Sequence, residues 1–367
     1  MNVPMATLFS PLTIGDLRLS SRIVMAPMTR RRALHGKIPG ELTALYYAQR
    51  ASAALIISES TEVDPHSGIA VPTRPGLTNT AQEAGWRQVT DAVHAAGGTI
   101  FVQLSHMGRT AHPSQLLDGR QPVGPSALAG AGTIYTANGP EPYVTPRALE
   151  TDEISTIVSE FAVASARAKS AGFDGVELHG ANGYLIDQFL RDGSNIRTDA
   201  YGGSVENRAR ILLETVDAIK AHWPVNRIGV RLSPTNPYQG MSDSDPARHF
   251  AEIASLLDPL GLAYLHVVEP PVQPDGHPVT AAAIRTAFRG PLIRAGGFKR
   301  ADADDVLAAG QADLVALGEA FLANPDLPER WRAHAALNAP DKATFYTQGA
   351  KGYTDYPTLE FVENQAV

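Results

Sequence analysis

Eight short apolar runs, separated by stretches with helical spacing, constrain the fold of this chain more than any other feature. Most of the runs are apolar at nearly every position, which is typical of parallel strands covered on both faces. Their number and even spread favour a protein of the α/β class. The predicted strands span residues 22–28, 54–61, 99–106, 175–180, 228–233, 263–268, 292–297 and 314–318.

Amphipathic helices are predicted between the strands. In the stretch 152–170, for example, Ile154, Ile157 and Phe161 recur at spacings of three and four residues. Eight strand–helix units that close on themselves form a (β/α)8 TIM barrel. The rival is an open doubly wound sheet, but the expected G-x-G-x-x-G after the first strand is absent. The predicted helices span residues 81–96, 152–170, 205–222, 245–257, 280–288 and 303–309.

Two segments exceed a minimal barrel. Residues 1–21 contain LTIGDLRLS, which predicts an N-terminal hairpin that plugs the barrel floor. Residues 107–150, rich in Gly and Pro, form a long loop after the third strand, and long loops on this side of a barrel are usually functional. No linker or low-complexity tract divides the 367 residues, so we expect a single domain over 1–367.

Composition excludes several classes of function. The formal net charge of −7 argues against nucleic acid or an anionic membrane as the main partner. The chain has no Cys, which rules out disulfides, thiolate nucleophiles and Cys-ligated metal sites. No stretch of the sequence reaches about 18 consecutive apolar residues, so no membrane-spanning helix is expected. The N-terminus lacks the basic and apolar regions of a signal peptide. We therefore expect a cytoplasmic protein.

The last two predicted strands end in glycine-containing turns. In barrels, the loops after the seventh and eighth strands commonly bind phosphate through backbone N–H groups. Gly296 and Gly297 follow the seventh strand, and Gly318 and Glu319 follow the eighth. Plain turns are the alternative, but two such turns on adjacent strands favour a phosphate site.

Polar side chains end the first, third and fifth strands. Thr29, Gln103 and Arg231 supply a hydroxyl, an amide and a fixed cation. Such a set suits a planar heterocycle with several carbonyl and N–H groups, such as a flavin. Arg231 beside the ring would stabilise the negative charge of the reduced form. A buried salt bridge is the alternative for Arg231.

A third group of polar residues follows the fourth strand. His179 and Asn182, three residues apart, could both donate to one carbonyl oxygen and stabilise an enolate. Tyr184 could supply a proton in the same space. A core histidine and a helix-capping asparagine are the alternatives. With no further ligand types nearby in the sequence, we expect no metal site.

With these residues in place, the sequence resembles the Old Yellow Enzyme family of FMN-dependent ene-reductases over almost its full length. The central stretch is highly specific, and six shorter stretches accompany it. The central one is ELHGANGYLIDQFLRDGSNIRTDAYGGSVENRAR at 177–210; the others are APMTR at 26–30, QLSHMGR at 103–109, GVRLSP at 229–234, AGGF at 295–298, FLANPDLP at 321–328 and GYTDYP at 352–357.

The resemblance implies noncovalent FMN, reduced by NADPH or NADH, and hydride transfer to the β carbon of a small activated alkene (an enone, enal, maleimide or nitroalkene). His179 and Asn182 would hold the substrate oxygen, and Tyr184 would protonate the α carbon. Tyr353 would line the substrate pocket. We expect a monomer or homodimer. By matching position, FMN would contact Pro27, Met28, Thr29, Gln103, Arg231, Gly296, Gly297, Gly318 and Glu319.

Two positions depart from the family pattern. Glu319 stands where many relatives carry an Arg that meets the FMN phosphate, so its side chain should turn away and leave binding to backbone N–H groups, with Lys299 or Arg294 compensating. Ile69, in Ser-Gly-Ile at 67–69, stands where relatives often carry a Gly-Tyr pair, which predicts a more apolar substrate pocket.

Two functions compete with the ene-reductase. A flavin-binding protein without turnover would have no need of the His179, Asn182 and Tyr184 set. A barrel lyase or aldolase acting on phosphosugars would need a Schiff-base Lys or metal carboxylates at the strand ends, and the sequence offers neither there.

Overall fold

The computed structural model describes residues 6–66, 74–269 and 280–359. Its strands are β1 Leu12–Ile14, β2 Leu17–Leu19, β3 Ile23–Met25, β4 Leu55–Ile57, β5 Thr61–Glu62, β6 Ile100–Ser105, β7 Val123–Gly124, β8 Thr133–Thr136, β9 Gly139–Pro142, β10 Arg147–Ala148, β11 Gly175–Gly180, β12 Ile228–Leu232, β13 Tyr264–Val268, β14 Leu292–Ala295 and β15 Leu314–Leu317. Its α-helices are α1 Glu41–Ala48, α2 Thr80–Ala95, α3 Thr151–Ser170, α4 Leu185–Leu190, α5 Val205–Ile219, α6 Pro246–Leu257, α7 Thr280–Ala287, α8 Arg300–Ala308, α9 Glu319–Ala323 and α10 Leu327–Ala333.

The main sheet is a closed barrel of parallel strands, as the sequence predicts. Its strands run in the order β11, β12, β13, β14, β15, β3, β4, β6, and β6 pairs with β11 to close the ring. The short β5 adds a further pairing to β6. The eight predicted strands are therefore confirmed, each followed by the chain segment that returns to the next.

Several observed strands end earlier than predicted, whereas β11 and β13 end where the sequence predicts. The first barrel strand ends at Met25 rather than at residue 28, because Pro27 has no N–H with which to continue the ladder. The second divides into β4 and β5 around Ser58, whose backbone N–H still bonds to Phe101. The residues that follow Met25 and Ile57 therefore leave the regular strand pairing and run towards the cavity described below.

Side chains alternate between the inside of the barrel and the helical layer. Val24, Leu55 and Ile57 belong to an inner apolar cluster, together with the rings of Phe101 and Tyr264. Room for the two rings comes from glycines on the neighbouring strands. A Cβ on Gly175 would lie 2.3 Å from the Phe101 ring, and one on Gly229 would lie 2.4 Å from the Tyr264 ring.

The N-terminal hairpin covers the floor of the barrel, as predicted. β1 and β2 pair in antiparallel fashion, and Ile14 and Leu19 are buried in the inner cluster. Asp16, at the hairpin turn, forms an ion pair of 2.6 Å with Arg227, which immediately precedes β12. The hairpin therefore closes the end opposite to the carboxyl ends of the strands.

The helices and loops differ in part from the prediction. The six predicted helices are present with small shifts at their ends, but the sequence did not predict α1, α4, α9 or α10. These helices have five to eight residues, which is too short for a clear apolar period. The segment 107–150 contains the antiparallel hairpin β8–β9 and the parallel pair β7–β10. In the described part of the chain, no helix has the length and apolar character needed to cross a bilayer.

Candidate active site

A cavity of about 520 Å³ opens at the carboxyl ends of the barrel strands. β3, β6, β11 and β12 each contribute polar residues at or just beyond their ends. The β8–β9 hairpin contributes Thr133, Ile134 and Tyr135 to the wall, so the long loop after the third barrel strand does border the cavity. The predicted site residues in the wall are Pro27, Met28, Thr29, Gln103, His179, Asn182, Tyr184, Arg231 and Glu319.

Within the described residues, Arg231 forms no salt bridge, which was the alternative that the sequence left open for it. It is 6% exposed, and its Nε has no hydrogen-bond partner among the described residues. Burial lowers the pKa of its guanidinium, although Glu177 partly offsets this. An unpartnered N–H in the cavity wall is a donor for a bound acceptor, because leaving it unpaired costs about 1–3 kcal/mol.

His179 is a neutral donor rather than a cation. Burial, followed by the positive charge of Arg231, lowers its pKa well below the ordinary value of 6.5. Its Nδ1 has no hydrogen-bond partner in the described chain, so it is not a fully satisfied core histidine. The ring can therefore donate one N–H without bringing a charge of its own into the cavity.

Asn182 adopts a left-handed backbone conformation with φ of 56°. Its side chain caps no helix, because the residue at the N-cap of α4 is Tyr184. Instead, Asn182 Oδ1 accepts a hydrogen bond of 2.8 Å from Asn236 Nδ2. The NH2 group of Asn182 remains to donate into the cavity.

Tyr184 lies beside His179, with ring centroids 4.7 Å apart and an angle of 53° between the ring planes. Burial raises the pKa of the Tyr184 phenol, while the neighbouring Arg74 opposes this rise. Arg74 is held by an ion pair of 3.2 Å with Glu62, and both line the cavity. A neutral phenol with a cation beside it suits a proton donor, because the cation stabilises the phenolate that donation leaves.

The predicted phosphate-binding segments lie at the expected strand ends. Gly296 and Gly297 follow β14, and Gly318 is the N-cap of α9. A Cβ on Gly318 would lie 3.3 Å from Met28 Sδ, so a larger residue there would require the Met28 side chain to shift. Glu319 is half exposed and pairs with Lys342 at 3.5 Å, whereas Arg294 stacks over Phe298.

Two predicted substrate residues are not found in the described cavity wall. Tyr353 is fully buried and stacks on Tyr46 at 4.2 Å, with Arg32 over its other side at 4.5 Å. It therefore packs behind the wall rather than on it. Ile69 lies outside the described residues.

Comparisons with known proteins agree with this arrangement. Residues 7–338 match the NADH:flavin oxidoreductase / NADH oxidase family. The chain is 41% identical to 12-oxophytodienoate reductase 1 of Oryza sativa subsp. japonica, over 98% of this chain and 95% of the relative. It is 40% identical to 12-oxophytodienoate reductase 2 of Arabidopsis thaliana, over 96% of each.

Two solved structures superpose closely on this chain over almost its full length. Morphinone reductase superposes with a TM-score of 0.91 at 48% identity, covering 97% of each chain. The old yellow enzyme homologue from Zymomonas mobilis superposes with a TM-score of 0.92 at 43% identity, covering 96% of this chain and 100% of that one. The chain belongs to the Old Yellow Enzyme family. It is therefore a flavoprotein oxidoreductase built on a TIM barrel.

The polar groups in the cavity wall of this Old Yellow Enzyme family member are suited to binding FMN. Arg231 and His179 present buried polar atoms that have no partner in the part of the chain that the structure describes, and Thr29 and Gln103 add a hydroxyl and an amide to the same wall. The turn at Gly318 brings its backbone next to the Met28 side chain, with no Cβ between them. These groups would hold the ring of the flavin, and the turns after β14 and β15 would hold its phosphate.

Two residues of the site escape sequence reasoning. Arg74 reaches Tyr184 from the loop before α2, and Asn236 reaches Asn182 from the loop after β12. Neither stands at a strand end. The nearest sequence signal to either of them is the GVRLSP stretch, which ends two residues before Asn236.

Proposed function

We propose that this protein is an FMN-dependent ene-reductase that reduces small activated alkenes. The observation that carries the proposal is the convergence of two neutral donors, His179 and Asn182, on the cavity beside the phenol of Tyr184. Two donors on one carbonyl oxygen polarise a conjugated double bond, and a nearby phenol completes its reduction. A flavin-binding protein without turnover would have no use for this set.

Each side chain has one task in the proposed reaction. His179 and the amide of Asn182 bind the carbonyl or nitro oxygen of the substrate and stabilise the negative charge that develops there. Tyr184 gives its phenolic proton to the α carbon, and Arg74 stabilises the resulting phenolate. Thr29, Gln103 and Arg231 hold the flavin ring. FMN, when bound, would supply the two-electron chemistry that links NADPH or NADH to the β carbon of the alkene.

Support for a nicotinamide reductant comes from a relative. Morphinone reductase has been solved in complex with tetrahydroNAD, and this chain matches that structure at 48% identity with a TM-score of 0.90. The proposed partners are accordingly a nicotinamide and a small-molecule alkene. Membership of the family leaves no room for the phosphosugar lyase alternative.

The test is an anaerobic titration of the purified yellow protein, first with NADPH and NADH and then with 2-cyclohexenone. Bleaching of the flavin by a nicotinamide and recovery of its colour with the enone are expected. If a nicotinamide bleaches the flavin but no alkene from a panel of enones, enals, maleimides and nitroalkenes restores its colour, the result would support a flavin-binding protein without turnover instead.

A further inference from the structure

A polar network lies inside the barrel, beside the residues that would hold the flavin. Glu177 on β11 accepts a hydrogen bond of 2.7 Å from Gln103 Nε2 through one carboxylate oxygen. The other oxygen is 2.9 Å from His266 Nδ1 on β13. Glu177 and His266 are both 0% exposed. The reaction proposed above uses neither of them.

Glu177 determines which way the Gln103 amide points. An ionised carboxylate only accepts hydrogen bonds, so the amide must turn its NH2 group towards Glu177. The carbonyl oxygen of Gln103 is then left for the cavity, whose wall Gln103 joins. A carbonyl oxygen at that position accepts from an imide N–H, such as the one between the two carbonyls of a flavin ring.

The charge of Glu177 also balances that of Arg231. Burial raises the pKa of Glu177, but His266, Arg231 and Gln103 together outweigh burial and hold the pKa below its ordinary value. Burial lowers the pKa of His266, and Glu177 only partly offsets this. Burial therefore disfavours a charge on His266, and Glu177 is the acidic group that faces the Arg231 cation.

We propose that Glu177 is a positioning residue for the flavin site: it orients the Gln103 amide to accept from the ring imide, and its charge offsets Arg231. His266 supports the carboxylate but contributes no charge. The inference rests on the proposed function only in requiring bound FMN. It would hold for a flavin protein without turnover as well.

The experiment compares the wild type with three variants in two measurements. The first is the ratio of the dissociation constants for 3-methyl-FMN, which lacks the imide N–H, and for FMN, obtained by reconstitution of the apoprotein. The second is the reduction potential of the bound flavin, measured against a reference dye. Glu177→Gln removes the charge, Glu177→Asp keeps the charge but shortens the reach to Gln103, and His266→Asn leaves the carboxylate in place.

The wild type should bind FMN about tenfold more tightly than 3-methyl-FMN, because the methyl group removes the N–H and meets the Gln103 carbonyl. Glu177→Gln should lose most of this preference, since an amide lets Gln103 turn over. Its potential should rise, because an uncompensated Arg231 favours the reduced, anionic flavin. A shift of about 30 mV corresponds to a tenfold change in the ratio of affinities for the two forms.

The other variants separate the two roles of Glu177, orientation of the Gln103 amide and compensation of the Arg231 charge. Glu177→Asp should lose the preference for FMN and keep the reduction potential of the wild type, and His266→Asn should keep both.

Equal preference and equal reduction potential in the wild type and Glu177→Gln would overturn the proposal. A potential lowered by His266→Asn would also overturn it, because the imidazole would then carry a charge. If Glu177→Gln does not fold, Glu177→Asp decides the proposal through the preference alone: a preference for FMN as strong as that of the wild type would overturn it. A wild type that binds no FMN contradicts the proposed function before any variant is compared.

Discussion

Asn236 Nδ2 donates a hydrogen bond of 2.8 Å to Oδ1 of Asn182. The orientation of Asn236 is itself determined, because its Oδ1 accepts the backbone N–H of Tyr238 at 3.1 Å. This chain of bonds occupies the carbonyl oxygen of Asn182 and leaves its NH2 group facing the cavity. The side chain therefore presents a donor, which a substrate oxygen needs, rather than an acceptor.

Replacing either donor should weaken the binding of phenols, whose ionised oxygen mimics the enolate. We expect His179→Ala and Asn182→Ala each to cost about 1.5–3 kcal/mol, because each lost donor faces a charged oxygen. The measurement is a titration with p-substituted phenols, followed by the long-wavelength absorbance of the flavin–phenolate complex. Unchanged affinity in both variants would remove the proposed role of the pair.

Asn236→Ala should reduce phenol affinity as well. Without Asn236, the Asn182 amide can rotate and present its oxygen to the phenolate, so we expect a loss of about 0.5–1.5 kcal/mol, the value of one neutral hydrogen bond. The same titration measures it. Asn236→Asp is the matched variant: its carboxylate accepts from Asn182 and should turn the amide over, giving a larger loss than alanine. A smaller loss with aspartate than with alanine would contradict this orientation.

The sequence predicted the strand-end part of this site and missed the loop part, for a physical reason. Parallel strands of a barrel meet at one rim, so residues such as Thr29, Gln103 and Arg231 can be brought together from the strand pattern alone. Arg74 and Asn236 stand in loops, whose path depends on turn geometry and long-range packing rather than on a repeat.

Tyr353 shows the same limit for a residue that the sequence did single out: the sequence predicted it in the pocket wall, but packing places it behind the wall. Its motif matches the family, but the motif does not reveal that Tyr46 on α1 stacks against the ring while Arg32 covers its other side. The short α1 had no predicted place in the fold. A contact between two elements cannot be inferred when one of them gives no periodic signal.

Tyr184→Phe should leave reduction of the flavin by nicotinamide unchanged and slow its reoxidation by enones by ~10²–10⁴-fold, the usual value of a proton donor. Nitroalkenes should be affected less, because their nitronate products are stable without a proton. Stopped-flow measurement of the two half-reactions separates the steps. An equal loss in the reductive half-reaction would indicate a packing role for the phenol.

Arg74→Gln should change the pH dependence of reoxidation by enones. Burial raises the pKa of Tyr184 and Arg74 opposes the rise, so removing Arg74 raises the pKa further. The decline in rate at high pH, where the phenol loses its proton, should therefore move to higher pH. At neutral pH the rate should fall, because the phenolate left by donation is less stable.

Arg74→Lys is the matched control for the charge, and it should retain most of the wild-type profile. Because the pKa of Tyr184 already lies above its ordinary value, the measurement is the rate of reoxidation by 2-cyclohexenone in each variant, from neutral pH up to the alkaline limit at which the protein keeps its flavin. A profile shifted to lower pH in Arg74→Gln would contradict the role of Arg74. A profile identical in all three proteins would do the same.

Glu319 is the position near the flavin that departs most from the family, and the structure gives its side chain a partner. It is half exposed, lies 3.5 Å from Lys342 and joins the rim of the cavity wall, so its carboxylate has a cationic partner of its own. If backbone N–H groups at Gly296, Gly297 and Gly318 hold the phosphate, Glu319→Arg should tighten FMN binding by adding a charge-assisted contact and removing a repulsion. The gain in FMN affinity should shrink as salt is added, because this rim of the barrel is exposed to solvent.

The dissociation constant of FMN at low and high salt measures the effect, and Glu319→Gln separates the loss of the carboxylate's repulsion from the new contact made by Arg. Affinity in Glu319→Arg equal to or weaker than in the wild type would mean that Lys299, Arg294 or another cation already serves the phosphate.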